Sequence, residues 1–255
     1  ITEKTQASSA VSKEKTGDTF PEEFRIVLQG LARIISRRHS LELRPYRRIP
    51  LRDIRPMWRY LALPLDEIQF LPEDLSNEDE DIPLGFTAHE VWHILFTDFE
   101  VLKKVLFEVS DEEEIQRQFL TLWNAVEDPR VNILGQGRHI GSITWINKLY
   151  RDRYGVKELE SETRSMQREP LHLQFGYALI YHWFNRGEDD PRIVNVKAKE
   201  ALSKSQQSIQ KAYNQKDAES SYRIIKEEIW PIYQELIEEA KEQMLNEELL
   251  RQMFK

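Results

Sequence analysis

Apolar residues recur at helical spacing along most of the chain. Helical periodicity occurs in five segments: 24–35, 84–109, 115–126, 171–184 and 195–255. The segment 65–71 (LDEIQFL), which is bounded by Pro64 and Pro72, is instead typical of a short strand. The pattern therefore predicts a mainly helical α+β fold with a small sheet and long C-terminal helices.

Several residues should interrupt these helices. Pro129 disfavours helical geometry at Asp128, so we expect the helix over 115–126 to kink or end there. Gly135, Gly137 and Gly141 follow closely and predict a loop.

The C-terminal segment carries an apolar seam in which steps of three and four residues alternate. Its members are Tyr222, Ile225, Ile229, Ile232 and Leu236. Pro231 should kink this helix or mark the start of a new one. The seam either packs into the core or docks a further domain or subunit, and its spacing is compatible with both.

Composition limits the possible functions. The chain has 255 residues, of which 40% are hydrophobic and 31% charged, as in folded proteins. Its net charge of −8 argues against general binding to nucleic acid or to anionic membranes. The chain has no Cys, which excludes disulfides and thiol nucleophiles, so a metal site must use His and carboxylates.

Targeting signals are also missing from the sequence. No apolar run approaches the ~20 residues that a membrane span needs. No signal-like segment follows Ile1, so we expect a cytoplasmic protein. Because the chain begins at Ile1 rather than at Met, we expect it to be a fragment of a larger protein.

Arginine is concentrated in residues 25–59, which contain ten Arg and only two acids, Glu42 and Asp53. Six acids follow between residues 73 and 81. The arginines could form ion pairs with the acidic segment 73–81 and with other acidic segments. Alternatively, they could form a patch that binds a partner protein or an acidic ligand.

The most informative motif is His89-Glu90-Val91-Trp92-His93, an H-E-x-x-H sequence in an apolar helical segment. Positions i and i+4 of a helix differ by about 40° and ~6 Å along the axis, so both imidazoles can bind one cation. Glu90 lies about 100° round the helix and can act as a base on a water molecule at that site. Chance predicts roughly 0.02 such motifs for this composition. The alternative is a pair of core histidines beside a salt-bridged Glu.

A zinc site of this kind needs a third protein ligand. Phe99 occupies the position, six residues after the second His, where some zincins carry another His. The ligand must therefore come from another helix. Glu127 follows an apolar stripe and should face inward, which favours it, whereas Asp128 lies on a more polar stripe with Asn124 but could turn inward at a kink. The carboxylate that does not bind, together with Asn124, would then support the ligands.

Segment 89–99 (HEVWHILFTDF), followed by 124–130 (NAVEDPR), resembles the metallopeptidase-like region of von Willebrand A-associated proteins. This group includes a cobaltochelatase subunit and a nitric-oxide-reductase accessory protein. Its motif reads H-E-x-x-H, then T-D-F, then N-x-x-E-D-x-R, and the resemblance covers residues 84–134. The resemblance implies a zincin-like fold and a zinc site made of His89, His93 and Glu127. It also implies a von Willebrand A domain and a MoxR-type AAA+ ATPase as partners.

The chain departs from this family in two respects. Asn132 stands where the family often has an acid, and no D-x-S-x-S motif of a von Willebrand A domain occurs. Taken together, the composition, the helical periodicity and the family resemblance predict three parts: a disordered leader over 1–19, a zincin-like metal-binding domain over 20–190 and a C-terminal helical extension over 191–255.

Two functions are compatible with these motifs. The first is a zinc-dependent metallopeptidase in which Glu90 is the catalytic base and an edge strand of the small sheet holds an extended peptide. The second is a non-catalytic, metal-stabilised module that links a von Willebrand A domain to the ATPase. The presence of Glu90 favours the enzyme, because a structural site needs only ligands. The other histidines should be surface or core residues, although His139 could approach the site as a donor; they are His39, His139, His172 and His182.

Overall fold

The computed structural model describes residues 22–46, 58–62, 65–75 and 79–253. The helices are α1 (Glu22–Ser36), α2 (Pro72–Leu75), α3 (Asp81–Phe96), α4 (Phe99–Val109), α5 (Glu113–Arg138), α6 (Ser142–Tyr154), α7 (Leu159–Met166), α8 (Leu171–Phe184), α9 (Val196–Tyr213), α10 (Ala218–Ile224) and α11 (Trp230–Met253). The strands are β1 (Glu42–Pro45), β2 (Arg59–Leu61) and β3 (Glu67–Phe70). The predicted mainly helical α+β composition is therefore confirmed. The predicted leader and residues 47–57 of the Arg-rich segment lie outside the described residues.

The strands form one sheet in the order β1-β3-β2. β3, which occupies the segment predicted as a strand, is central and largely buried. It pairs in parallel with β1 and antiparallel with β2, where Tyr60 lies opposite Ile68. Among the described strands β2 is an edge, and it lies against α3.

Helix α3 is the central element and carries the H-E-x-x-H motif. It packs against α1, α5, α6 and β2, so apolar residues on all its faces are buried, which explains its strongly apolar sequence. Gly85 allows close contact with α6, because a Cβ there would lie 2.7 Å from the carbonyl oxygen of Trp145.

The periodicity over 84–109 corresponds to two helices rather than one. Thr97 is extended, with ψ of 131°, and ends α3. Asp98 then caps α4, because its side chain accepts hydrogen bonds from the backbone N–H groups of Glu100 and Val101. This turn points the two helices in different directions and leaves Thr97 beside the motif.

Helix α5 continues through Pro129 to Arg138, so it does not end at Asp128. The region around the proline is buried on most of its surface, and this packing compensates for the backbone hydrogen bond that proline cannot donate. Gly135 and Gly137 also lie within the helix rather than in the predicted loop. Gly135 is required by packing, since a Cβ there would lie 2.3 Å from the Trp92 ring.

The C-terminal helices pack on the rest of the chain. Helix α8 has the predicted bounds, but the segment from 195 is broken after α9, and Asp217 caps α10. A π-helical turn, Ile225–Ile229, separates α10 from α11, in which Pro231 is the second residue. Most of the apolar seam is buried against α5, α8 and α9, so it serves core packing. In the described part of the chain, no helix combines the length and apolar character needed to cross a membrane.

Candidate metal centre

Three side chains from two helices converge beneath the sheet. His89 and His93 project from α3, and Asp128 projects from α5. The Asp128 Oδ1 atom lies 3.2 Å from His93 Nε2 and 3.7 Å from His89 Nε2. The two imidazole rings are nearly perpendicular, with centroids 4.7 Å apart. This largely buried group could hold a metal ion.

The spacing of these atoms agrees with tetrahedral zinc coordination. Ligand bonds of about 2.0–2.1 Å place neighbouring ligand atoms roughly 3.3 Å apart. The observed separations of 3.2 and 3.7 Å lie on either side of this value. All three candidate ligand atoms lie within 4.8 Å of one another.

Hydrogen bonds on the other side of the His93 ring determine which nitrogen carries the proton. Thr97 Oγ1 donates to Glu127 Oε1 at 2.7 Å and lies 2.9 Å from His93 Nδ1. A threonine hydroxyl has one hydrogen, and here the carboxylate accepts it, so the hydroxyl must accept from His93 Nδ1. The neutral ring then presents the lone pair of Nε2 to Asp128.

His89 is held in the same way. Its Nδ1 donates to Asn132 Oδ1 at 3.0 Å, and the amide of Asn132 donates to the Tyr150 hydroxyl at 2.9 Å. When both rings are neutral, two imidazole lone pairs and a carboxylate oxygen therefore point at one another with no hydrogen between them. Acceptors in this arrangement repel each other unless a cation lies between them. The arrangement is therefore the strongest physical indication of a metal site in the described residues.

Glu127 is placed elsewhere, in contrast to its sequence-based assignment as the third ligand. It accepts two hydrogen bonds from Arg130, at 2.7 and 2.6 Å, and both side chains are fully buried. Because α5 continues as a regular helix, Glu127 and Asp128 face directions about 100° apart. The inward-facing stripe that carries Glu127 points at α10, whereas Asp128 points at α3. Asn124 donates to Asp128 Oδ2 at 3.2 Å, in the supporting role considered for it.

Four residues of this network were given no role in the site from the sequence: Thr97 and Arg130, which occur in the family motif, Tyr222, which belongs to the apolar seam, and Tyr150. Asn132 was noted only as a departure from the family motif. Helical spacing was the available signal for Thr97, Asn132 and Arg130: Thr97 lies four residues after His93, Asn132 four after Asp128 and Arg130 three after Glu127. Tyr150 and Tyr222 lie on other helices, and no local pattern connects them with the site.

Glu90 is buried and does not join the ligand group. Burial raises its pKa to about 7, and the negative charge of Asp128 acts in the same direction. The neighbouring His89 ring and a backbone hydrogen bond from Tyr60 oppose this rise. Glu90 lines a pocket of about 170 Å³ together with the three convergent side chains.

This pocket, which we call the site pocket, lies between α3 and the edge strand. Its wall includes Arg59 and Tyr60 of β2, Phe99 of α4 and Trp123 of α5. Tyr60 and Phe99 also line a neighbouring groove of about 1010 Å³. This groove runs past the end of α3 and the first turns of α4 and α10. The site pocket and the groove therefore share the walls formed by Tyr60 and Phe99, and the lining of the groove mixes apolar and charged residues.

The remaining histidines lie away from the site pocket. His139 stacks on the Trp92 ring at 5.2 Å, and His39 is exposed. His172 packs against Tyr233, and its pKa is lowered by burial. None of them joins the convergent group of the described residues.

Comparison of the chain with protein-family models, with curated proteins and with solved structures found no match. The function of the site is therefore argued from its geometry.

Proposed function

We propose that the chain is a zinc-dependent metallopeptidase with a zincin-like site. His89, His93 and Asp128 hold the ion, and Glu90 is the general base. The observation that carries the proposal is the convergence of the His89 and His93 Nε2 atoms on one Asp128 carboxylate oxygen, while both Nδ1 atoms face oxygen atoms of the chain. Nitrogen and oxygen ligands in this number suit zinc, and the fourth position remains for a reactant.

When bound, zinc would lower the pKa of a water molecule and polarise the peptide carbonyl. Glu90 lines the site pocket without belonging to the ligand group, which suits a base rather than a ligand. Its carboxylate takes a proton as the water oxygen bonds to the carbonyl carbon. The same proton then passes from Glu90 to the departing nitrogen as the C–N bond breaks.

The edge strand supports a peptide as the substrate. β2 has a partner on one side only among the described strands, and it borders both the site pocket and the groove. An extended segment can add to such an edge through backbone hydrogen bonds. The groove beyond it, with Leu95, Phe96 and Phe99 partly exposed, favours substrates with large apolar side chains.

Trp123 is the best candidate for stabilising the charge that develops on the carbonyl oxygen. The other N–H or O–H donors of the nearby wall have acceptors: Trp58 bonds to Asp74, Arg59 to Gln69 and Tyr60 to Asp66. The Trp123 indole N–H is buried and has no acceptor in the described part of the chain. A donor of this kind is available to the substrate oxygen in the transition state.

The family resemblance of residues 84–134 agrees with this proposal. It extends the proposal to partners, namely a von Willebrand A domain and a MoxR-type AAA+ ATPase that could deliver an unfolded segment to the edge strand.

Glu90→Gln tests the function directly. The zinc-loaded chain, with its partners if required, is incubated with a library of unfolded peptides, and products are measured by mass spectrometry. The variant should retain about one zinc per chain but lose cleavage by several orders of magnitude, because Gln cannot accept the proton. Glu235→Gln, at an exposed position on α11, is the matched control and should cleave normally. A wild-type protein that binds zinc but cleaves no peptide would refute the enzyme and favour the non-catalytic module.

A further inference from the structure

A tyrosine of the C-terminal helices reaches the network behind the metal centre. Tyr222 lies on α10 and is fully buried. Its hydroxyl donates to Glu127 Oε1 at 3.1 Å and accepts from the backbone N–H of Asp98 at 3.3 Å. A residue 95 positions away in sequence from Glu127 therefore fixes the same carboxylate that receives the Thr97 proton.

These bonds form a continuous chain to a proposed ligand. Tyr222 and Thr97 both donate to Glu127 Oε1, and Thr97 in turn accepts from His93 Nδ1. Glu127 has no exposed surface, so water has no access to replace a lost donor. A second link connects Glu127 with the start of α10. Arg130 donates a hydrogen bond to Glu127 and another, at 3.4 Å, to the carbonyl of Gln215, which lies just before α10.

We propose that Tyr222 is a positioning residue through which the C-terminal helices control the metal affinity of His93. The inference rests on the metal site proposed above, but it does not require that the protein cleave peptides. Without the Tyr222 hydroxyl, Glu127 Oε1 is free to reorient towards Arg130. Thr97 then loses its fixed acceptor, and its hydroxyl can turn its proton towards His93. The ring would lose the partner that keeps the Nε2 lone pair facing the metal.

The coupling is reciprocal. If docking of α10 strengthens zinc binding, zinc binding must strengthen docking of α10 by the same factor. Helix α10 has only seven residues and is followed by a π-helical turn, so it is a short element able to respond to such a link. A partner that displaced α10 would therefore weaken metal binding, and a partner that held α10 in place would strengthen it.

The test compares Tyr222→Phe with Tyr233→Phe. Both tyrosines are fully buried in the C-terminal helices, but the Tyr233 hydroxyl has no hydrogen-bond partner among the described residues. The two variants therefore lose the same atom from fully buried positions, but only Tyr222→Phe breaks hydrogen bonds. Zinc affinity is measured by competition with a chromophoric chelator, with Zn²⁺ alone as the probe. We expect Tyr222→Phe to bind zinc about 10–100-fold more weakly, which is typical for groups that support a ligand. Tyr233→Phe should bind zinc as the wild type does.

A second measurement needs no variant. Hydrogen exchange of the wild type is recorded with and without Zn²⁺, and zinc should slow the exchange of residues 218–224 as well as that of α3. In Tyr222→Phe the effect of zinc on 218–224 should disappear.

Three results are informative. If the wild type binds no zinc, the proposed metal site and this inference both fail. If the wild type binds zinc but folded Tyr222→Phe has the same affinity, or zinc leaves exchange over 218–224 unchanged, only the inference fails. If Tyr222→Phe weakens zinc binding in a protein that cleaves nothing, the inference holds and the peptidase proposal fails.

Discussion

The buried pair of Glu127 and Arg130 allows a quantitative test of the network behind the metal centre. We consider Arg130→Met, which keeps much of the side-chain volume but removes the charge. Both members of the pair are fully buried, so the variant leaves the Glu127 carboxylate without its cation or water. Breaking a buried pair in this way costs about 3–5 kcal/mol. For a chain of this size, that cost lowers Tm by roughly 6–20 °C.

The double variant Glu127→Gln/Arg130→Met isolates the cause of this loss. Arg130 also donates to the carbonyls of Phe96 and Gln215, and these bonds are absent from both variants, so they cancel in the comparison. The introduced glutamine is neutral, and its side-chain carbonyl can still accept from Thr97 and Tyr222. We therefore expect the double variant to be more stable than Arg130→Met alone by about 2 kcal/mol or more.

Helix α5 also provides a matched control. Glu114 and Arg117 form a pair with the same residue types and the same spacing, but their side chains are 62% and 65% exposed. Arg117→Met should cost about 0.5 kcal/mol or less. Unfolding by heat and by urea, with a chelator present so that metal binding does not contribute, measures all four proteins. The reasoning is refuted if Arg130→Met costs no more than Arg117→Met, or if the double variant is no more stable than Arg130→Met.

Three further predictions concern the site and its surroundings. Asp128→Asn should abolish stoichiometric zinc binding, whereas Glu127→Gln should weaken it by no more than about 10–100-fold; the opposite order, measured by elemental analysis and chelator competition, would restore Glu127 as the ligand. Trp123→Phe should lower kcat by about 10²–10³-fold while zinc content and KM stay near wild type, and an unchanged kcat would remove Trp123 from the reaction. Gly135→Ala should cost about 1–3 kcal/mol, because the new methyl group would overlap the buried Trp92 ring; an unchanged Tm would contradict the close contact.

The local sequence pattern was sufficient to predict those elements and residue positions that depend on a single helix, strand or motif. Apolar spacing predicts the bounds of α8, and the H-E-x-x-H spacing places His89 and His93 on one face of α3. The strand signal between Pro64 and Pro72 likewise corresponds to β3. In each case the deciding interactions lie within a few residues of one another in sequence.

The sequence-based expectation and the structure differ where packing between distant segments decides. Glu127 and Asp128 are adjacent on α5, and the rotation of α5 against α3 determines which one meets the histidines. That rotation depends on packing against α8 and α9, which the sequence does not disclose. The continuation of α5 through Pro129 has the same origin. The break between α3 and α4 was missed for a different reason, since capping by Asp98 leaves the apolar spacing undisturbed.

The position of Asp128 on a different helix from the histidines also affects the unfolded chain. His93 and Asp128 are 35 residues apart, and the chain contains no Cys. An ion bound to both residues acts as a cross-link that closes a loop of this length. By the chain-entropy model for disulfides, a cross-link of this span lowers the entropy of the unfolded state by the equivalent of about 4 kcal/mol at 25 °C. The ion would thus supply, reversibly, the kind of topological constraint that other proteins obtain from a covalent sulfur–sulfur bond.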